Sequence, residues 1–303
     1  MKTLLAFALA ATAVTSLPAQ TLLLRSGFED GTSFEKWKVL GTDRSLKPPN
    51  DWSAAGFGLT SLPDGKKENR AIERVTDSSD PNNIVLRNTH RKTTDKFSKT
   101  EIYRWSPYRW SDELFLRFKV RFPEHMKRIE QYEPGLQDHK WSKDFLVLTE
   151  FWMDAWPAPE DRVNLALFKE KGVGKTLHWA VSHSDTYKHG HHVRTWQDVS
   201  EDAIEFGRWY TIEMYVKVGD QDHGKVIWSY QPEGGKRVER VVKKETHAAG
   251  HAPPKNRING LVFCKLYTGR PLLEWMTGQA GSPMVNDYDD VELWSGLPSK
   301  KGE

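Results

Sequence analysis

The segment ELFLRFKVRF, residues 113–122, alternates apolar and polar side chains throughout except at Phe115. Successive residues of a strand point to opposite faces. Leu114, Leu116, Phe118, Val120 and Phe122 therefore predict one buried face, and Arg117, Lys119 and Arg121 a solvated one. A 3.6-residue helical period cannot gather these positions on one side. WYTIEMYVKV (209–218) repeats the pattern, with Tyr210, Ile212, Met214, Val216 and Val218 inward. Further strand-length runs are IVLRNTH, KTEIYRW (99–105), NGLVFCKLYTG (259–269) and YDDVELW (288–294). They are separated by turn-forming clusters such as DSSDPNN (77–83), and KVIWSYQPEGGKRVERVVKKE reads as a hairpin through PEGG. Helical patterning is confined to 124–133 and 198–205, and no heptad or internal repeat is present. One-sided strands in this number predict an all-β fold: a jelly-roll sandwich of two antiparallel sheets with few short helices and neighbouring terminal strands.

The N-terminus, MKTLLAFALAATAVTSLPAQ, has a basic Lys2, an apolar run from Leu4 to Val14 and a small residue, Ala19, before a cleavage point. That is the pattern of a secretory signal peptide over 1–19, leaving 20–303 as one domain of a secreted or periplasmic protein. No later stretch is apolar enough for a membrane span. The single cysteine, Cys264, precludes an internal disulfide and reads as a small core residue beside Val262 and Leu266. A net charge of +3 is too mild to imply nucleic acid, and a monomer is expected. Thirteen tryptophans in an exported chain point instead to sugar, whose rings stack on indole faces.

The chemistry concentrates on three strands. KTEIYRW carries Lys99, Glu101, Tyr103 and Trp105 on one face. FLVLTEFWMDAW (145–156) sets Glu150, Trp152 and Asp154 two apart, with Phe145, Val147, Phe151 and Met153 on the other face. LVFCKLYTG puts Phe263, Lys265 and Tyr267 opposite Val262, Cys264 and Leu266. As neighbours in one sheet, these strands would build a groove of cations, carboxylates, a phenol and indoles, suited to a polysaccharide. The histidines 189, 191 and 192 sit in a polar loop without the i, i+4 spacing of a helical metal site, and read first as a plain solvated loop and second as a loop over that groove with Lys188 and Arg194.

In order, GFEDG, KTEIYRW, LTEFW, RWYTIEMYVKV with GKVIWSY, VFCKLYTGR and YDDVELW resemble the jelly-roll polysaccharide lyases, the concanavalin-like group with heparin lyase I, glucuronan lyase and alginate lyases. The resemblance spans about residues 22–296. It implies an exported enzyme that cleaves an anionic, uronic-acid polysaccharide by β-elimination. The family's early strand carries a basic residue, a spacer and Glu, matched by Lys99 and Glu101; its late Lys and Tyr are matched by Lys265 and Tyr267. Where the family shows Gln, a spacer and His, this chain has Glu150 and Trp152. The implied catalytic set is then Tyr267, Lys265 and Glu150, with His183 or His90 as a base from elsewhere. Lys99, Glu101, Tyr103, Trp105, Trp152 and Arg270 are the implied substrate-binding residues, and Arg104 lies on the opposite parity from Glu101. β-Elimination requires a neutralised carboxylate, a base for the α-proton and an acid for the leaving oxygen. A tyrosine can do either proton job where nearby cations favour its phenolate.

Two other readings use the same residues. Laminarinase-type glycosidases place paired carboxylates on one strand, to which Glu150 and Asp154 offer a partial match. A lectin-like module would bind sugar without cutting it, and Trp209 to Tyr230 resembles the back of laminin-G-type sandwiches. Glu29 and Asp289, near the two chain ends, are candidate ligands for a structural Ca²⁺; no organic cofactor is expected.

Overall fold

The computed structural model describes residues 22–28, 58–62, 69–105, 111–137, 144–153, 161–185, 193–246 and 258–298, with backbone alone for 58–62, 104 and 105. The signal-peptide segment, Glu29, Asp154 and the histidines 189, 191 and 192 lie outside them, as do the side chains of Arg104 and Trp105.

Fifteen strands run in chain order as β1 (Leu22–Ser26), β2 (Gly58–Leu62), β3 (Arg70–Thr76), β4 (Ile84–His90), β5 (Phe97–Trp105), β6 (Glu113–Arg121), β7 (Leu146–Met153) and β8 (Asp161–Phe168). They continue with β9 (His178–Asp185), β10 (Val193–Ala203), β11 (Trp209–Lys217), β12 (Lys225–Pro232), β13 (Val238–Val242), β14 (Ile258–Gly269) and β15 (Met284–Trp294). The back sheet follows the order β13-β12-β11-β6-β15-β4-β3, with β1 also on β15. The front sheet follows β10-β9-β8-β7-β14-β5-β2. Every pairing is antiparallel, and the first and last strands are partners, as the alternation predicts. The inner faces meet in one core: Leu114, Leu116, Phe118 and Val120 of β6 and Ile212, Met214 and Val216 of β11 pack against Ile102, Phe151, Val163, Val181 and Phe263 from the front.

Two expectations are corrected here, the short helix expected over 124–133 is present, and one helix is added. Residues 198–205 form most of the end of β10 instead of a helix; Val199 pairs with Ala180 of β9, and sheet pairing overrides a weak local pattern. Residues 124–131 form a 3-10 helix, Glu124–Gln131, burying Met126 and Ile129, and an α-helix not foreseen covers Arg270–Gly278 with Leu272, Leu273 and Met276 inward. Arg121 is buried instead of solvated, because two carboxylates of the back sheet, Asp77 and Asp287, hold its guanidinium.

The strand that carries Glu150 departs from simple alternation for a definite reason. Leu146 and Leu148 belong to the core, and so do Phe151 and Met153, although the two pairs have opposite parity. A register shift between Val147 and Thr149 against β8 inserts one extra residue and flips the faces. β14 does the same: a shift between Phe263 and Leu266 against β5 accompanies a left-handed φ of 46° at Cys264. Leu261 and Phe263 therefore enter the core together with Cys264 and Leu266, correcting the expected split in which Phe263 faced outward and Val262 inward.

Candidate functional site: a charged row on the front sheet

With both bulges in place, the outer face of the front sheet can be read row by row. Gly260, Trp152, Arg162 and Ser184 are successive partners across β14, β7, β8 and β9. In the next row Tyr103, Val262, Glu150, Asn164 and Ser182 lie side by side. Beyond the bulge, Lys99, Tyr267, Val147, Ala166 and Ala180 form another. Small residues of β8 and β9 (Ala166, Ala180, Ser182 and Ser184) floor one side of the sheet, while the charged and aromatic ones gather on β5, β14 and β7 and at Arg162.

Across these rows runs an alternating chain of charge. Lys99 Nζ lies 2.6 Å from Glu101 Oε1 on the same strand. Lys265 Nζ sits 3.3 Å from Glu101 Oε2, an ion pair outside hydrogen-bond geometry, and donates to Glu150 Oε2. Glu150 Oε1 accepts from Arg162 Nη1 at 2.5 Å, and Arg162 Nε donates to Ser184 Oγ at 3.1 Å. Three cations thus alternate with two carboxylates across four adjacent strands. Glu101, Glu150 and Lys265 are fully buried, whereas the Lys99 side chain keeps 20% of its exposure. Burial alone would raise the Glu150 carboxyl; the charges of Lys265 and Arg162 outweigh it and hold the group at about 2. Burial pushes the Lys265 ammonium down, against the opposing pull of Glu150 and Glu101.

Tyr267 stands where this chain meets the accessible surface. It is half-buried, edged by Phe97 at 5.3 Å and Phe145 at 4.6 Å between ring centroids. Lys265 Nζ lies 4.4 Å and Lys99 Nζ 6.0 Å from its ring centroid. Trp152 carries the Arg162 guanidinium 5.3 Å from its ring. The arrangement can hold an anion beside a phenol whose proton is within reach of fixed positive charge.

The structure thus gathers Lys99, Glu101, Glu150, Trp152, Lys265 and Tyr267, with Tyr103 in the Glu150 row, and it adds Arg162. Arg162 lies in DRVNLALF, where apolar alternation at Val163, Leu165 and Leu167 puts it on the outer face; that parity was the available signal. Trp105 extends β5 opposite Gly260 by backbone alone. Arg270 is exposed and pairs with Glu274 in its own helix at 3.2 Å, and it is not a link in the charged chain.

His183 does not join the site. It pairs with Val163, on the inner face with Val181 and Trp179, where it stacks on Trp196 and meets Thr195 Oγ1 at 2.7 Å. His90 is also internal, on the back sheet, with Nε2 2.9 Å from Thr100 Oγ1. Burial, with a contribution from Arg70, pushes its imidazole down to about 3. Neither imidazole can reach a group on the outer front face. For calcium, Glu29 falls outside the described residues, while Asp289 accepts from Asn83 Nδ2 at 2.9 Å and from the Asp290 amide at 2.8 Å. No cluster of three His, Cys, Asp or Glu side chains occurs among the described residues, to which Glu29 does not belong.

No protein-family model matches the chain, and no curated protein matches it in sequence. Among solved structures it is similar to the marine PL-14 alginate lyase from Aplysia kurodai, at 11% identity and a TM-score of 0.49, covering 73% of this chain and 86% of that one. It is also similar to endo-β-1,4-glucuronan lyase from the fungus Trichoderma reesei, at 12% identity and a TM-score of 0.47, over 77% and 90% of the two chains. The carbohydrate recognition domain of Emp47p is a third, at 9% identity and a TM-score of 0.41, over 88% and 100%. These likenesses concern fold alone, and the sandwich itself is read from the two sheets.

Proposed function

We propose that the protein is an exported lyase that cleaves a uronic-acid polysaccharide by β-elimination on the outer face of the front sheet. The observation that carries this reading is Tyr267: a partly accessible phenol with two ammonium groups over its ring, at the end of a buried row that, among the described residues, alternates three cations with two carboxylates. An anionic sugar placed there has its carboxylate balanced by Lys99 and Lys265, which acidifies the α-proton. Tyr267 as phenolate takes that proton; the C–H electrons form the new double bond as the β carbon–oxygen bond breaks, and the leaving oxygen takes a proton from the phenol so formed. Glu101 and Glu150 hold the ammonium groups in place. Arg162 and Trp152, stacked together, form a neighbouring surface for a second sugar unit.

One observation favours a second reading, a lectin-like binding role: among the described residues no imidazole takes part in the charged chain, since His183 turns inward and His90 lies on the back sheet. Incubation with a panel of uronans separates the two. Rising ultraviolet absorbance from an unsaturated product, abolished in Tyr267→Phe, is the expected result. Binding without cleavage would establish the lectin reading, and new reducing ends without absorbance would establish a hydrolase.

A further inference from the structure

The β14 bulge that sets Lys265 and Tyr267 on the outer face is gripped from behind by the opposite sheet. A bulge removes carbonyls from the ladder, and buried carbonyls need donors. The Cys264 carbonyl accepts from Asn88 Nδ2 at 3.1 Å. The Lys265 carbonyl accepts from Asn286 Nδ2 at 3.1 Å and from the Tyr288 hydroxyl at 2.5 Å. Asn88 and Asn286 are register partners on β4 and β15, joined by an amide hydrogen bond of 3.0 Å, and Asn286 Nδ2 also reaches Tyr288 Oη at 3.2 Å. All three side chains are fully buried inside the sandwich.

We infer that Asn88, Asn286 and Tyr288 are positioning residues for the front-sheet site, acting through the backbone of Cys264 and Lys265. Their kinetic consequence rests on the lyase reading; their structural consequence does not. The bulge is what reconciles Leu261 and Phe263 in the core with Lys265 and Tyr267 outside. Deprived of donors, its carbonyls favour a regular ladder, and the Lys265 ammonium is drawn away from Glu150 and Glu101.

The test compares Asn286→Leu and the milder Tyr288→Phe with Leu293→Ala, a core truncation on the same strand that touches no part of the network. Crystal structures of the variants are expected to show the β14 register altered at Cys264 and Lys265 displaced from Glu150. A displacement of about 1 Å is expected to lower kcat roughly 100-fold in Asn286→Leu, with KM changed less than about twofold. Tyr288→Phe, which leaves the Asn286 donor in place, is expected to give a smaller fall of the same kind. The Leu293→Ala control is expected to lose thermal stability with kcat unchanged. An intact bulge with Lys265 still on Glu150 overturns the inference, whatever the kinetics. A displaced Lys265 with unchanged kcat overturns it equally. If the parent protein cleaves no uronan, the lyase reading fails, and the crystal structures alone decide the positioning role.

Discussion

The molecule buries two groups of charge, one against each sheet, and they are built differently. On the back sheet Arg87 holds Asp287 in a bidentate pair at 2.7 and 2.9 Å. Arg121 bridges Asp287 at 2.9 Å and Asp77 at 2.7 Å, donates to Ser79, and lies 4.5 Å from the ring of Trp209. Trp209 Nε1 completes Asp77 at 3.1 Å. Two guanidinium groups meet two carboxylates, with planar forks and a capping indole. The front group places two flexible ammonium groups and one guanidinium around two carboxylates, and it ends beside a half-buried phenol. Among the described residues the back group matches two guanidinium groups with two carboxylates, whereas the front group sets three cations against two carboxylates and ends beside Tyr267. Buried charge by itself is therefore no sign of a site; the sign is an imbalance that a substrate would complete.

Removing the Tyr267 hydroxyl is the widest way to separate the two. As the proton carrier, Tyr267→Phe is expected to reduce eliminase turnover by roughly 10²- to 10⁴-fold. Its melting temperature should stay within about 2 °C of the parent, since the ring contacts with Phe97 and Phe145 remain. Steady-state kinetics beside calorimetry checks both, and retained turnover would remove Tyr267 from the mechanism.

The mirror experiment is on the back sheet. Asp287→Asn removes the negative charge shared by half-buried Arg87 and buried Arg121, which costs about 3–5 kcal/mol of stability. Turnover per folded molecule is expected to be unchanged. Urea unfolding with activity measured at saturating folded fraction tests this, and a drop in kcat would mean that the back group also serves the site. Smaller again is Lys99→Met. The loss of one partly exposed cation is expected to raise KM about tenfold, a cost of about 1.4 kcal/mol, and to flatten the dependence of KM on salt.

How far the sequence reveals this depends on where alternation survives. ELFLRFKVRF and WYTIEMYVKV keep period two to their ends, and β6 and β11 bury the faces that the pattern predicts. FLVLTEFW breaks it, because Leu146 and Leu148 cannot share a regular face with Phe151 and Met153. That conflict is itself a bulge signal at Thr149, whose hydroxyl bonds the Val262 carbonyl at 2.5 Å. The bulge at Cys264 leaves no such mark, since neither glycine nor asparagine stands at the positive φ. His183 was misjudged because AVSHSD carries polar residues on both parities. Its inward face follows only from its register with Val163. The distant supports Asn88 and Asn286 lie about two hundred residues apart in sequence and meet only through the pairing of β4 with β15.

Acid separates the interior from the charged groups by the pH at which each fails. His90 has a folded value of about 3, below its unfolded value near 6.5, so the folded state refuses a proton that the unfolded chain accepts. Its contribution is therefore complete above pH ~6.5 and declines as pH falls toward about 3, by roughly 1.4 kcal/mol per pH unit. Glu150 is depressed from 4.5 to about 2, so its contribution is complete above 4.5 and is lost only as pH falls through about 2. Asp77 of the back group is lowered as well: Ser79 and Arg121 together outweigh the burial that would raise it. Between pH 6.5 and 4.5 the contribution of His90 falls while that of Glu150 stays complete. The stability difference between the parent and His90→Asn, from urea unfolding at pH 7.5, 6 and 5, should therefore change by about 1.4 kcal/mol per unit below pH 6.5. A difference independent of pH would mean that His90 takes up a proton in the folded core.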